Sequence, residues 1–393
     1  MSILIAIIGI IILFGLSWLM SNDKKGINLR AISIMLGLQL SIAWFMLNTS
    51  IGRSILQAVT NGFNKVLSFG GDGISFVFGG LAKQQLFFVN VLMQIIFVTA
   101  ILGILTYTRI LPLAIKYIGG FVSKVTGLPK IESFVAVNSM VFGDTSAILS
   151  VKSFIPKLSG NRLFIVVTSS LVAVSASILG AYMSMVPAEF VLVALPINVF
   201  SGLIFSSIVC PVRKEANDEE IDFNEIMIPE KSLFEAIGNW TLLGGKTALI
   251  VGAMLITYIS LISMVNWIFT SILGISFTSV LGYGFAPIAY MMGIPSSEIV
   301  QAGSVMGTKV AANEFVAMLD FMKMIPHMSH KTVGIVSAFL ISFANFSSIG
   351  IILGTVQAIS QQKASELAKV GLKVLLVATM GSILTGTIVG LFL

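Results

Sequence analysis

Three polar side chains interrupt an otherwise apolar stretch in the last quarter of the chain. Lys309, Asn313 and Glu314 lie within the sequence Gly-Thr-Lys-Val-Ala-Ala-Asn-Glu-Phe-Val-Ala-Met of residues 307–318. An ionisable side chain at membrane depth costs at least ~2.5 kcal/mol, so it usually faces a polar cavity or a charged partner. The three residues are therefore candidates for a solute or ion pathway. The alternative is a structural Lys–Glu pair or a hairpin tip in the headgroup region.

A second polar cluster follows in the next apolar run. Residues 341–350 read Ile-Ser-Phe-Ala-Asn-Phe-Ser-Ser-Ile-Gly, and the spacing of Asn345 and Ser348 places them on one face of a helix. Phe343 lies close enough to add an aromatic ring. Such a surface would fit a flat, uncharged, hydrogen-bonding solute. Helix packing through small polar residues is the alternative, and this motif alone does not decide between the two.

The composition requires most of the chain to lie in a lipid bilayer. Of the 393 residues, 56% are hydrophobic and 10% are charged, and the mean hydropathy is +1.01. Several uncharged runs reach the ~20 residues that a helix needs to cross the hydrocarbon layer. We therefore expect an all-α polytopic membrane protein rather than a barrel of strands.

The sequence offers no support for a metal, cofactor or nucleic-acid function. Cys210 is the only cysteine, and the two histidines, His327 and His330, lie in a predicted interfacial loop. The lysines and arginines lie between the apolar runs and form no stripe with aromatic residues. We predict no metal site, no cofactor and no nucleic-acid partner.

Eight apolar runs are predicted to be membrane spans. They lie at residues 3–20, 31–48, 86–108, 162–186, 189–209, 247–273, 332–356 and 370–392. If the first loop is cytoplasmic, most of the 23 lysines and arginines also fall on the cytoplasmic side, as the positive-inside rule requires. This orientation holds only if segments 127–160 and 277–327 each enter and leave on the same face. Both termini are then external.

Those two segments resemble each other and predict re-entrant hairpins. Each begins with a Gly-apolar-Pro turn, at residues 127–129 and 293–295, and continues through a glutamate to a glycine followed by polar residues. We expect the two glycines, Gly143 and Gly307, to form the hairpin tips, where glycine permits a positive φ. The first unit is bounded by cytoplasmic ends and the second by external ends. This order is typical of an inverted repeat, whose broken helices bind solute and ion near the midplane.

The polar motifs resemble those of the concentrative nucleoside transporter family. Residues 307–317 are close to that family's signature, residues 343–350 are a second match, and the first hairpin with Leu179-Gly-Ala-Tyr182 extends the resemblance over nearly the whole chain. The chain is similar to a short bacterial member. The resemblance implies a homotrimer in the bacterial cytoplasmic membrane that imports nucleosides, with pyrimidine nucleosides such as uridine as the expected substrates.

The resemblance also implies a scaffold and a mobile transport domain that moves the site across the bilayer as an elevator. The scaffold would comprise residues 1–108, which include an interfacial helix, and the span 247–275. A polar cytoplasmic loop is expected at residues 211–246. The transport domain would comprise residues 109–210 with hairpin 127–160, and residues 276–393 with hairpin 277–327.

Seven residues receive binding roles from the resemblance. Glu314 and Asn345 would hydrogen-bond the ribose hydroxyls with help from Ser348. Phe343 would line the pocket. At the tip of the first hairpin, the residues that address the nucleobase would be Gly143, Asp144 and Thr145.

Two departures from the family pattern concern the coupling ion. The tip has Asp144 and Ser146 where the family usually has glutamine and glutamate, and Ser139 and Ala173 replace an asparagine and a hydroxyl residue of sodium-coupled members. Sodium prefers several hard oxygen ligands, whereas a proton needs only one carboxyl group. Asn138, the neighbour of Ser139, weakens this argument. We expect proton coupling through Asp144 or Glu314, with sodium coupling as the alternative.

The sequence leaves two other function classes open. An intramembrane hydrolase could use Asp144 and Asp320 as a pair of acids that share one proton, but no motif surrounds Asp320. A channel would use the same cavity without coupling, and accumulation against a gradient would separate it from a transporter. The inverted hairpins favour a transporter, so we do not expect an enzyme.

Overall fold

The fold is all-helical within residues 2–84, 86–212 and 230–393, which are the residues that the computed structural model describes. Short 3-10 turns and one π-turn join some of the helices. In chain order the α-helices are α1 (Ser2–Leu19), α2 (Leu29–Asn48), α3 (Ser50–Phe78), α4 (Gln94–Tyr107), α5 (Ile110–Thr126), α6 (Lys130–Phe142), α7 (Asp144–Ser150), α8 (Gly160–Leu171), α9 (Leu179–Met183), α10 (Ala188–Val209), α11 (Leu233–Leu273), α12 (Phe277–Met291), α13 (Ile299–Ala311), α14 (Glu314–Met324), α15 (His330–Leu340), α16 (Phe346–Ile359), α17 (Gln361–Ala368) and α18 (Gly371–Leu391).

Six helical segments of the described chain are long and apolar enough to cross a membrane. Each overlaps one of the eight predicted spans, and they confirm a polytopic membrane protein. The first predicted span forms the shorter helix α1, and the predicted span 332–356 is divided between α15 and α16. The total of eight stays a prediction. The six segments are Leu29–Asn48, Phe88–Tyr107, Gly160–Met183, Ala188–Val209, Leu233–Leu273 and Gly371–Leu391.

The longest helix begins earlier than the sequence analysis places it. α11 starts at Leu233, where the Ser232 hydroxyl accepts a hydrogen bond from the Glu235 amide at 3.1 Å. A Ser-x-x-Glu pattern is typical of a helix start. The end of the predicted polar loop at residue 246 is therefore too late, because Lys246 lies within α11. The acidic run of that loop falls on residues 213–229, outside the described residues.

The segment 127–160 doubles back on itself, as the sequence predicts. α6 and α7 meet at Gly143, whose φ of 83° and ψ of 170° lie in a region that only glycine adopts readily. A Cβ at this position would lie 3.1 Å from the Ser175 Cβ. α6 has 13 residues and is therefore about 20 Å long, which is too short to span the hydrocarbon layer.

The second hairpin turns at residues 312–313, and the prediction of Gly307 as its tip is wrong. α13 continues through Gly307, and the Asn313 side chain then caps α14 by accepting a hydrogen bond from the Val316 amide at 3.0 Å. Gly303 and Gly307 face α12 instead, since a Cβ on Gly307 would lie 2.7 Å from the Leu281 Cβ. Small residues four apart allow helices in membranes to approach closely. Because α12 is a separate helix, the hairpin proper begins at α13.

Both spans that follow the hairpins are interrupted. The first is broken between α8 and α9, and the second is broken at residues 341–345, between α15 and α16. The two breaks touch, because the Phe343 amide donates a hydrogen bond to the Ala173 carbonyl at 3.3 Å. Asn198 of α10 donates to the Ile341 carbonyl. Backbone groups that leave a helix within a membrane protein need such partners.

The helix order α5–α10 recurs as α12–α18, with α16 and α17 in the place of the short helix α9. Two glutamates that match in the sequence also make equivalent contacts in the structure. Glu132 binds the Arg162 guanidinium at 2.5 Å, and Glu298 accepts a hydrogen bond from the Ser329 hydroxyl at 2.9 Å. Each contact ties the base of a hairpin to the start of the next helix, as expected for a repeat.

Candidate functional site

One cavity lies where the two hairpins and the two helix breaks meet. Its volume is about 370 Å³, which is within the range of small-molecule sites. α4 and α11 supply its opposite wall. The structure brings together all seven residues singled out from the sequence, although they are far apart in the chain. The residues that line the cavity include Gly143, Asp144, Thr145, Glu314, Phe343, Asn345 and Ser348.

Glu314 is held by two hydrogen bonds at the start of α14. Its Oε1 accepts from the Tyr182 hydroxyl and its Oε2 accepts from the Asn345 amide, each at 2.9 Å. Glu314 is 4% exposed, and its place at a helix N-terminus favours a negative charge. A carboxylate offers about four acceptor positions, so the two oxygens retain capacity for hydroxyl groups of a solute.

Asn345 is oriented by the helix that it caps. Its Oδ1 accepts a hydrogen bond from the Ser348 amide at 2.8 Å, and therefore its Nδ2 is the group that faces Glu314. Asn345 and Ser348 meet at the start of α16, not on the face of a continuous helix. Phe343 lies two residues before the cap, where its ring lines the cavity. Because the helix breaks here, all three side chains line the cavity at one point.

Asp144 occupies in the first hairpin the position that Glu314 occupies in the second. Each is the first residue of the helix that follows the hairpin turn. Asp144 Oδ1 accepts hydrogen bonds from the Thr145 amide at 2.6 Å and from the Thr145 hydroxyl at 3.3 Å. No lysine, arginine or histidine among the described residues pairs with this carboxylate. This equivalence is not apparent in the sequence when Gly143 is aligned with Gly307.

The cavity is rich in acceptors and lacks basic side chains. Within the described chain, none of its lining residues is a lysine, an arginine or a histidine. Hydroxyl groups of Ser175 and Ser177, which lie 2.8 Å apart, add further polar surface beside the first hairpin. Such a lining disfavours an anionic solute and suits an uncharged solute with several hydrogen-bond donors.

Lys309 lies outside the cavity, so the structure does not place it on the pathway that its sequence position suggests. Its Nζ donates to the Ser342 hydroxyl at 2.6 Å and to the Ser382 hydroxyl at 3.2 Å, and it lies 4.4 Å from the centre of the Phe339 ring. Lys309 is fully buried. Neutral acceptors thus hold the Nζ, and Lys309 links the second helix break to α18. The alternative of a Lys–Glu ion pair is not formed with Glu314 among the described residues.

Tyr182 is a site residue to which the sequence analysis gave no role. It is fully buried, its hydroxyl donates to Glu314, and its ring lies 5.0 Å from that of Phe315. Because it lies in an apolar stretch, the sequence suggests only a packing role for its ring. Its hydroxyl could have indicated more, because a buried tyrosine hydroxyl usually requires a hydrogen-bond partner. Tyr182 belongs to the first repeat and Glu314 to the second, so their contact joins the two repeats at the cavity.

The comparison with known families covers nearly the whole chain in three consecutive matches. Residues 8–81 match the family described as Na+ dependent nucleoside transporter N-terminus, and residues 190–390 match the corresponding C-terminus. Residues 88–189, between them, match the family described as Nucleoside recognition. The chain belongs to the concentrative nucleoside transporter family. It is therefore a multi-pass membrane transporter and not an enzyme. Asp320, the second acid of the hydrolase hypothesis, forms a surface ion pair with Lys323 at 3.2 Å.

Individual relatives agree with membership of the concentrative nucleoside transporter family. Purine nucleoside transport protein NupG of Bacillus subtilis (strain 168) is 35% identical over 100% of both chains. The solved structure of CNTnw in an inward-facing substrate-bound state has a TM-score of 0.94 and 29% identity, and the match covers 100% of this chain and 99% of that one. A variant of CNTnw in an outward-facing state has a TM-score of 0.93 and 29% identity, with 100% and 98% covered.

Proposed function

We propose that this transporter imports nucleosides across the bacterial cytoplasmic membrane in symport with protons. The observation that carries the proposal is the position of the Glu314 carboxylate. Tyr182 and Asn345 hold it at the cavity, and its remaining acceptor positions are open to a solute. The two hydroxyls of a ribose are donors that can occupy those positions, with Ser348 beside them.

The charge of the cavity supports nucleosides as substrates rather than nucleotides. Asp144 and Glu314 both line it, and no basic residue of the described chain does. A phosphate group would meet two carboxylates without a cation to compensate, which costs several kcal/mol in a site of low dielectric (on the order of 332/εr for each pair). An uncharged sugar and base avoid this repulsion.

The rest of the cavity suits a nucleobase. The Phe343 ring provides an aromatic face, and the turn Gly143-Asp144-Thr145 provides hydrogen-bonding groups opposite the ribose site. Aromatic stacking is worth about 1–3 kcal/mol per base and does not depend strongly on the base. The tip would therefore decide which base is accepted. No residue of the site specifically supports the expected preference for pyrimidines. The relative NupG is named for purine nucleosides.

The residues at the positions of the sodium ligands support proton coupling. Ser139 donates its hydroxyl to the Ala136 carbonyl at 3.0 Å, and the Ala173 carbonyl accepts from the Phe343 amide. The amide of Asn138 is turned towards Ser150, at 2.9 Å, within the first hairpin. Asn138 Oδ1 is buried and lacks a hydrogen-bond partner, but a single free side-chain oxygen is fewer than the several ligands that sodium prefers. The carboxyl groups of Asp144 and Glu314 can each carry a proton. Ionisable groups within the membrane part of a transporter are typical of proton pathways, so these two residues support proton coupling.

Sodium coupling is the second candidate. The observation that favours it is the description of the matching families as Na+ dependent. The two ions differ in what they require of the protein, because sodium needs a cage of oxygen atoms and a proton needs one carboxyl group. Removing each ion in turn therefore separates them.

We further propose that residues 109–210 and 276–393 move as a transport domain against a scaffold of residues 1–108 and 247–275. CNTnw has a structure in an inward-facing state and, for a variant, one in an outward-facing state, and their TM-scores to this chain are 0.94 and 0.93. An elevator motion of the hairpins and broken helices would carry the cavity from one side to the other. A homotrimer, external termini and a cytoplasmic location for the polar segment between α10 and α11 complete the proposal.

The test is uptake of labelled nucleosides by the purified protein in liposomes. With an inward proton gradient and no sodium, we expect accumulation above the external concentration, and a protonophore should abolish it. Accumulation that requires a sodium gradient and does not depend on the proton gradient would show that transport is coupled to sodium. Absence of uptake for every ribonucleoside under both gradients would contradict nucleoside symport.

A further inference from the structure

A second cavity, of about 340 Å³, lies directly beside the first. It lies closer to the start of α11 and to the end of α4, where Asn239 and Thr106 line it. This is the side of the polar segment between α10 and α11, which is cytoplasmic in the proposed function. A solute that leaves the first cavity on this side therefore passes through the second. The residues that line both cavities are Phe142, Ser146, Trp240 and Leu243.

Two aromatic rings mark the boundary between the cavities. The ring centres of Phe142 and Trp240 lie 5.5 Å apart at an angle of 53°. Trp240 is held from the scaffold side, because its Nε1 donates to Glu230 at 3.2 Å and it packs against α4, where a Cβ on Gly103 would lie 2.7 Å from the Trp240 Cβ. Phe142 belongs to the first hairpin. The boundary is therefore a contact between one held ring and one ring on the part that is proposed to move.

The second cavity has hydrogen-bond acceptors that the protein does not satisfy. Asn138 lines it and is fully buried. Because the Ser150 hydroxyl donates to the Ala147 carbonyl at 2.6 Å, its oxygen accepts from the Asn138 Nδ2 at 2.9 Å. This contact orients the amide, and the Oδ1 is left without a hydrogen-bond partner among the described residues, which is unfavourable for a buried acceptor. Glu230 accepts from Trp240, and a carboxylate offers about four acceptor positions. Hydroxyl or N–H groups of a solute would satisfy both residues.

We propose that the second cavity is a second nucleoside-binding site, which the solute occupies between the first cavity and the cytoplasm. The inference rests on the proposed function. Trp240 offers an aromatic face to the base, and Asn138 and Glu230 offer acceptors to the donors of the solute. No lysine, arginine or histidine of the described chain lines this cavity, so it also disfavours anions. Its lining has one carboxylate, whereas that of the first cavity has two. The lack of one charge-assisted hydrogen bond makes binding about tenfold to a hundredfold weaker.

The experiment is equilibrium dialysis of the purified protein in detergent, at one fixed pH and with sodium present, so that either coupling ion is available. Labelled adenosine, inosine and uridine are tested in turn up to millimolar concentrations. The wild-type protein should bind two nucleosides per protomer, the second with a Kd at least about tenfold above that of the first. Glu314→Gln should lose the tighter site and keep the weaker one. Saturation at one nucleoside per protomer in the wild type would overturn the inference, and this measurement needs no variant. Absence of binding for all three nucleosides would contradict the proposed function instead.

A blocking variant locates the weaker site. Leu149 on α7 lines the second cavity but not the first, and it is 43% exposed, so a larger ring can fill the cavity without displacing the core. Leu149→Trp should bind one nucleoside per protomer, with the Kd of the tighter site within about twofold of wild type. The matched control is Leu113→Trp, because Leu113 is exposed on α5 and lines neither cavity; it should still bind two. Two nucleosides per protomer in Leu149→Trp would overturn the assignment of the weaker site to the second cavity.

Discussion

Replacement of Glu314 by glutamine tests the ribose site without disturbing the hairpin. The glutamine carbonyl can accept from the Asn345 amide, and its amide can donate to the Tyr182 hydroxyl, which is able to accept as well as donate. Both existing contacts therefore keep a partner. What changes is the charge and the acceptor capacity offered to the solute, so we expect a folded protein with a defective site.

The size of the expected defect follows from the number of hydroxyls that would face the carboxylate in the proposed site. Each ribose hydroxyl would lose a charge-assisted hydrogen bond worth about 1.5–3 kcal/mol. Two hydroxyls give a loss of about 3–6 kcal/mol, or roughly 10²–10⁴-fold weaker binding. Uptake of a ribonucleoside at micromolar concentration should then be undetectable.

The assay compares a ribonucleoside with its 2′,3′-dideoxy analogue in liposomes, with size-exclusion chromatography to establish that Glu314→Gln is folded. The analogue lacks both hydroxyls, so the substitution should change its transport far less. Glu366→Gln is the control, because Glu366 lies on α17 and binds Lys363 at 2.9 Å at the protein surface. Normal uptake of ribonucleosides by Glu314→Gln would refute the site. An equal loss for both solutes would show that Glu314 acts through the coupling ion and not through the sugar.

Three further substitutions separate the roles of neighbouring residues. Tyr182→Phe keeps the ring but removes the donor to Glu314, so KM for ribonucleosides should rise by about tenfold or more at normal expression; an unchanged KM would contradict a positioning role. Gly143→Ala forces a side chain into a φ of 83° and towards Ser175, at an expected cost of about 1–3 kcal/mol. A melting temperature in detergent equal to wild type would be the opposing result. Lys309→Met should lower the melting temperature, because buried hydroxyl and carbonyl acceptors lose their donor, yet leave KM within about twofold. A large change in KM with unchanged stability would instead place Lys309 on the pathway.

The sequence was sufficient for the polar residues that gather at the cavity. Glu314, Asn345 and Asp144 stand out because polar side chains are costly within an apolar run, and the resemblance to a known family supplied their relation to a solute. The two hairpins also followed from weakly polar segments between true spans, whereas the breaks within the predicted spans 162–186 and 332–356 were not predicted. These patterns are local in the sequence, and each can be recognised without knowledge of the tertiary structure.

Other features depend on contacts that the sequence does not display. Gly307 was predicted to form a turn because glycine permits a positive φ. Helices in membranes also use glycine to approach one another closely, and the residue that Gly307 contacts, Leu281, lies in another helix. Lys309 looked like a pathway residue, and its acceptors come from two distant stretches of the chain, residues 339–342 and Ser382. The role of Tyr182 required the distance to Glu314, which lies in the other repeat.

The absence of side chains at Gly303 and Gly307 also limits how the second hairpin can deform. α13 sits so close to α12 that a Cβ on Gly303 would lie 2.5 Å from the Gly282 carbonyl oxygen. Sliding of one helix along the other would drive larger neighbouring side chains into this contact, so we expect the two helices to move as one rigid unit. The part of the second hairpin that could hinge is then α14. In the proposed function, the helix that binds the sugar through Glu314 would also be the helix whose movement releases it.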